Sequence, residues 1–190
     1  MSESEDGGRS PRARSRRVAD LTPEEARKKA KEICFDLLAT RSRTKDELRK
    51  ALRRKGFAEE IGEELLGKLD QAGLVDDAAF AEQWVRARHN HQGLAKRALV
   101  AELKRKGVDS TLAVEAAGEV DRDAEEERAR ELVRKKLRTM TSVDEQTATR
   151  RLLGMLARKG YSQGLAYTVI KEELREAGAE STMLDDVALD

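Results

Sequence analysis

The sequence predicts an all-α protein built from three tandem three-helix (helix-turn-helix-like) repeats forming an elongated, curved array. Three observations carry that reading. A ten-residue pattern recurs three times without gaps. The only two prolines among 190 residues, Pro11 and Pro23, both precede the main body, so nothing further along blocks helix formation. No stretch alternates apolar and polar residues as a half-buried strand would.

The recurring segments are LRKALRRKGF (48–57), LVAELKRKGV (99–108) and LLGMLARKGY (152–161). Leucines stand eight and four residues before a glycine, as Leu48 and Leu52, Leu99 and Leu103, Leu152 and Leu156. A basic pair precedes each of Gly56, Gly107 and Gly160, and an apolar residue follows, namely Phe57, Val108 or Tyr161. Leucines at i and i+4 make one apolar helical stripe. Glycine supplies the left-handed conformation that ends a helix, and the residue after it can fold back on the last turn.

Each repeat begins with a longer helix. The first starts near Thr22, where Pro23 and Glu25 complete a capping box, and its stripe is Ala26, Ala30, Ile33, Leu37 and Leu38. The second starts near Asp76 and carries Phe80, Trp84, Val85 and Arg88. The third starts near Asp121 and carries Ala124, Ala129, Leu132, Val133 and Leu137. After each glycine a third helix follows, with Ile61 and Leu65, Leu112 and Ala116, or Leu165 and Val169 on one face. The expected segments are a disordered basic tail at 1–21, repeats at 22–75, 76–120 and 121–178, and an acidic C-terminal tail at 179–190. Each repeat is small enough to need its neighbour, because thin helical layers bury little surface alone.

Charge is abundant but balanced. Lysine and arginine number 38, aspartate and glutamate 37, so the net charge of +1 gives no whole-molecule attraction to nucleic acid. Local sorting is what matters. Residues 41–55 hold eight basic and two acidic residues, and residues 86–106 hold seven and one. Acidic residues gather elsewhere, at Glu59, Glu60, Glu63 and Glu64 and from Asp121 to Glu127. Cations at helix C-termini are favoured by the helix dipole, which accounts for the basic pairs. It does not account for Arg86, Arg88, Lys96 or Arg97. Stacking predicts a basic strip along one side, and the candidate contact residues are Arg53, Arg54, Lys55, Arg86, Arg88, Lys96, Arg97, Lys104, Arg105, Lys106, Arg158 and Lys159. Trp84 is expected to pack in the core with Phe80 rather than to stack on a base.

Catalytic chemistry finds little purchase. Histidine occurs only as His89 and His91, on different helical faces and expected to be solvated. Cys34 is the sole cysteine, expected as a small core residue, so an internal disulfide is impossible. No phosphate-binding glycine loop, nucleophile elbow or zinc spacing is present. No enzymatic activity, cofactor or metal is expected, and no apolar run reaches the roughly 18 residues of a membrane span.

The stretch 72–108 resembles the signature of the RecX family. The pieces are Gly73-Leu74-Val75-Asp76-Asp77, Phe80-Ala81, Trp84-Val85, Arg88, and the helix ending Glu102-Leu103-Lys104-Arg105-Lys106-Gly107-Val108. The threefold repeat fits the same family over about residues 24–178. One departure is Gln92-Gly93-Leu94-Ala95, where family members often carry a second glycine; the loop here is expected to be stiffer. The resemblance implies a small cytoplasmic, monomeric regulatory protein without turnover. It implies binding to the RecA recombinase and its filament on DNA, and reduction of recombinase, ATPase and co-protease activity. Contact with single- or double-stranded DNA is a further expectation. The alternative reading is a direct DNA-binding protein of helix-turn-helix type.

Overall fold

The computed structural model describes residues 17–140 and 143–187, with side chains described as far as Gly178. Among the described residues there are nine α-helices and no strand. They are α1 (Pro23–Thr40), α2 (Lys45–Arg54), α3 (Glu59–Gln71), α4 (Asp77–Gln92), α5 (Lys96–Arg105), α6 (Ser110–Gly118), α7 (Arg122–Leu137), α8 (Glu145–Arg158) and α9 (Gln163–Val187). They form three successive three-helix repeats.

The helix starts follow from local chemistry. Thr22 and Glu25 exchange hydrogen bonds in a full capping box at α1. Asp76, Asp109, Asp121 and Asp144 cap α4, α6, α7 and α8 by accepting first-turn amides. The helix ends follow from the repeated glycines. Gly56, Gly107 and Gly160 have φ of 86°, 81° and 90°, the left-handed region. Each turn closes the same way. Phe57, Val108 and Tyr161 donate their amides to Leu52, Leu103 and Leu156 at 3.2, 3.1 and 3.1 Å. Gly56, Gly107 and Gly160 donate theirs to Arg53, Lys104 and Ala157, each at 3.0 Å. This pair of bonds is the Schellman motif, and the buried Phe57, Val108 and Tyr161 supply its hydrophobic contact.

The leucine pairs of the repeat form the centre of each layer: Leu48, Leu52, Leu99, Leu103, Leu152 and Leu156 are all buried. The third helices keep part of the expected stripe: Ala116 and Val169 are buried as expected, while Ile61, Leu65, Leu112 and Leu165 are half-buried and Leu66, Leu69, Ala113, Ala117, Ala166 and Ile170 take the inner positions beside them. The turn after each glycine sets this phase, which side-chain spacing alone leaves open by one residue. Ala124 is likewise exposed, because it sits in the first turn of α7 ahead of the buried Ala129 and Val133.

The described chain divides into two compact units: residues up to Arg41 with Leu48–Leu74, and Ser42–Glu47 with Val75 onward. In the first, α1 packs on α3, and Ala26, Ala30 and Cys34 are buried with Leu66 and Leu69. In the second, one core joins Phe80, Val85, Leu99, Leu103 and Val108, and another joins Val133, Leu152, Leu156, Tyr161 and Ile170.

Part of each expected tail lies within the described residues. Val18–Asp20 forms a 3-10 turn, with Arg17 3.6 Å from Asp20. Residues 1–16 of the expected basic tail lie outside the described residues. The expected acidic tail is helical backbone as far as Val187, because no proline interrupts α9; residues 188–190 lie outside the described residues. His89 corrects the expectation of two solvated histidines: it is buried, and its Nδ1 lies 2.9 Å from the Leu94 carbonyl. Gly93, left-handed at φ 63°, turns the chain back over it. His91 is exposed as expected.

Candidate partner-binding groove

The starts of two middle helices, α2 and α5, are held by a later repeat. The amide of Lys45 donates to Asp77 Oδ1 at 2.9 Å, and the amide of Lys96 donates to Glu125 Oε1 at 2.9 Å. A carboxylate from the next repeat's long helix thus does what an N-cap side chain would do, at an end where the dipole favours negative charge. The residue just before each of these two helices then meets the glycine turn of the next repeat. Thr44 Oγ1 donates to the Lys106 carbonyl at 2.6 Å, and the Ala95 amide donates to the Lys159 carbonyl at 2.9 Å. Lys159 Nζ donates to the Gln92 carbonyl, and Tyr161 Oη donates to the Gly93 carbonyl at 3.1 Å. Burial, with Arg128 nearby, lowers the Lys159 pKa from the ordinary lysine value.

This joint aligns α5 with α8 and the start of α9, leaving a groove of about 810 Å³. Arg97, Arg105 and Arg158 line it, over small residues such as Ala98, Ala101, Gly154 and Ala157. The three arginines are exposed and have no ion-pair partner among the described residues. Arg97 and Arg105 lie eight residues apart on α5, about 12 Å along its axis. The one carboxylate in the lining, Glu102, is already engaged: Trp84 Nε1 donates to it at 2.8 Å and Arg88 Nε lies 3.1 Å away. The groove is therefore electropositive, with guanidinium forks suited to phosphate or carboxylate.

The remaining candidate residues fall in different settings. Arg88 and Lys106 turn inward on Trp84, at 4.4 and 4.1 Å from its ring. Trp84 stacks on Phe80 at 5.7 Å but is half-buried between these two cations rather than enclosed in core. Lys106 also pairs with Glu47 at 3.1 Å. Arg86 is exposed and lies 3.5 and 3.6 Å from Glu82 and Glu119. Lys96 is half-buried, and Lys104 is exposed outside the groove lining. Arg53, Arg54 and Lys55 are exposed at the end of α2 in the first unit. Sequence reasoning missed Glu125, whose only signal is its place in the acidic run from Asp121 to Glu127.

Nucleophilic and metal chemistry have little support among the described residues. Burial pushes the Cys34 thiol up to about 11, so at neutral pH it is protonated. No group of three or more metal-ligating side chains is present among the described residues. No described helix is long and apolar enough to cross a membrane.

The fold defines an all-α protein of three tandem three-helix modules, the second and third joined at the Gly160 turn. Comparison with known proteins identifies them in order: "RecX, first three-helix domain" matches residues 30–69, "RecX, second three-helix domain" residues 76–116, and "RecX, third three-helix domain" residues 123–170. The chain belongs to the RecX family of regulatory proteins. It is 72% identical to Regulatory protein RecX of Amycolatopsis mediterranei over 90% of this chain and 98% of that one. It is 42% identical to Regulatory protein RecX of Streptomyces coelicolor over 96% of each chain. The crystal structure of RecX from Lactobacillus salivarius superposes with a TM-score of 0.70 at 23% identity, covering 77% of this chain and 96% of that one. A second crystal structure of regulatory protein RecX gives 0.70 at 26% identity, covering 78% and 73%.

Proposed function

We propose that the chain binds the RecA recombinase and its filament on DNA and restrains recombinase, ATPase and co-protease activity, acting in the cytoplasm as a monomer without turnover of its own. The observation that carries this reading is the groove with Arg97, Arg105 and Arg158: three unpaired guanidinium groups over a floor of small residues, shaped for an extended anionic surface. Membership of a family of regulatory proteins supports it. Arg53, Arg54 and Lys55 are proposed as a further set of contacts from the first unit, and Arg86, Lys96, Lys104 and Lys159 as neighbours of the main groove. Arg88 and Lys106 act through Trp84, setting the packing of α4 on α5. The test is RecA ATPase and strand exchange with and without the chain at stoichiometric ratio. Inhibition is expected; unchanged rates would reject the reading.

The second reading, direct DNA binding, draws on the exposed Arg97 and Arg105 of a middle helix. It expects affinity for bare duplex that falls steeply with salt, and protection in a footprint without RecA. Binding that needs RecA decides for the first reading.

A further inference from the structure

The first unit carries a second groove of a different character. Between α1 and α3 lies an apolar trough of about 440 Å³ with Phe35, Ile61, Leu65, Leu69 and Leu74 along it. Phe35 is 40% exposed and Leu74 50%, two of the four exposed large hydrophobic side chains among the described residues. Exposed apolar surface gathered in one place and rimmed by charge marks an interaction site rather than scattered surface residues.

The rim is basic. Arg27, Lys28, Lys31 and Lys68 face one carboxylate, Glu64. That carboxylate is taken up by Lys68 at 2.6 Å and Arg27 at 3.1 Å, which hold its pKa below the ordinary glutamate value. Lys28 and Lys31 have no carboxylate partner among the described residues, and the Lys31 ammonium lies 5.5 Å from the Phe35 ring centroid.

We propose that this groove docks an acidic amphipathic helical segment of a partner protein, with its apolar stripe on Phe35 and Leu74 and its carboxylates at Lys28 and Lys31. A trough between two helices accepts a third through anchors at helical spacing. The positive rim selects the sign of the partner's charge. Residues 1–16 of the chain itself carry Arg9, Arg12, Arg14 and Arg16 against Glu3, Glu5 and Asp6, a net positive charge that does not match a basic rim. Residues 179–190 carry Met183, Leu184 and Val187 with four acidic residues, and are the competing occupant that the experiment separates. The inference does not depend on the filament reading.

The probe is a fluorescein-labelled model helix of leucine and glutamate, with apolar residues at i, i+4 and i+7, titrated with the full chain and followed by anisotropy. Saturable binding is expected, weakened about tenfold or more by Leu74→Glu and by Lys28→Glu with Lys31→Glu. Arg97→Glu, Arg105→Glu and Arg158→Glu together should leave it unchanged. All of these side chains are exposed, and circular dichroism checks that each variant keeps its helicity. Absence of binding, equal binding of a lysine-for-glutamate probe, or indifference to Leu74→Glu overturns the proposal. A gain of about tenfold on Asp185→Lys with Asp186→Lys also overturns it, assigning the groove to the chain's own C-terminal segment.

Discussion

Gly160 lies against the backbone of Ala98: a Cβ built on the glycine would stand 2.6 Å from the Ala98 nitrogen and 2.7 Å from its Cβ. Gly56 occupies the same place in its own repeat, with φ of 86° against 90°, yet a Cβ there meets nothing within 4 Å. Both glycines end a helix, but Gly160 also lets α5 approach the turn that follows α8. Gly56→Ala should cost about 1–2 kcal/mol, the strain of a left-handed non-glycine residue. Gly160→Ala should cost clearly more, because it adds a clash with backbone that cannot rotate away. Urea denaturation of the two variants checks this; equal costs would show that the approach at Ala98 relaxes freely.

The arginine groove makes a prediction about partner binding. Reversing Arg97, Arg105 and Arg158 together should lower the apparent affinity for RecA filaments by more than about tenfold. Helicity should stay constant, since all three side chains are exposed. Reversing Lys135 and Lys136, exposed on α7 and outside the groove, is the matched control. Inhibition titrations at two salt concentrations supply the measurement, and equal loss in both variants would reduce the groove to a general charge effect.

Glu173 sits thirteen residues after Gly160, where Leu69 and Val120 stand thirteen residues after Gly56 and Gly107. All three positions are buried, so the third repeat places a carboxylate where the others place a hydrophobe. Arg134 Nε donates to it at 2.7 Å, and Arg130 lies 3.6 Å away. Glu173→Gln should cost about 1–3 kcal/mol, less than a fully buried pair because Arg134 is half exposed. Thermal unfolding measures it. A neutral result would mean that Glu126, Glu172 and Glu176 satisfy the two arginines unaided.

Asp109 and Asp144 accept the amides of Thr111 and Thr147 at 2.7 and 2.9 Å. These backbone hydrogen bonds hold both carboxyls below the ordinary aspartate pKa. A pKa lower in the folded chain than in the unfolded chain means stability that is fully present above the unfolded value and is lost as pH falls through the folded one. The denaturation midpoint should therefore drop between about pH 5 and about pH 3. Asp109→Asn with Asp144→Asn keeps the caps without the titration and should flatten part of that slope. An unchanged slope would mean that other carboxylates govern it.

Trp84 is the only tryptophan, so its emission reports the packing of α4 on α5. Leu103→Ala, in the core beside it, should destabilise by about 2–5 kcal/mol. The unfolding curve followed by Trp84 emission should shift accordingly; a cost below about 1 kcal/mol would mean that the layer collapses to fill the space.

Much of the fold is legible in the residues themselves. The capping box at Thr22, the aspartates at the helix starts and the glycines after Leu52, Leu103 and Leu156 are local devices. Each works within a few residues of sequence, so reading the chain finds them. The phase of the third helices was only partly legible: Ala116 and Val169 are buried as expected, but in α3 Ile61 and Leu66 compete for the inner face until a turn fixes the rotation. His89 was missed because its burial comes from Gly93 folding the next loop back over it. The basic residues were legible as a set but not in their separate fates. Arg88 and Lys106 close on Trp84 while Arg97, Arg105 and Arg158 stay unpaired in one groove.

The sequence by itself determined the helices, their caps, their stops and their threefold repetition, because those are set by hydrogen bonds and apolar spacing over short distances. Tertiary structure alone decided which glycine turn receives a neighbouring helix, which carboxylate caps a helix in another repeat, and which arginines share a groove. Those outcomes depend on groups far apart in the chain being brought within contact distance, and periodicity along one helix carries no information about the partner it will meet.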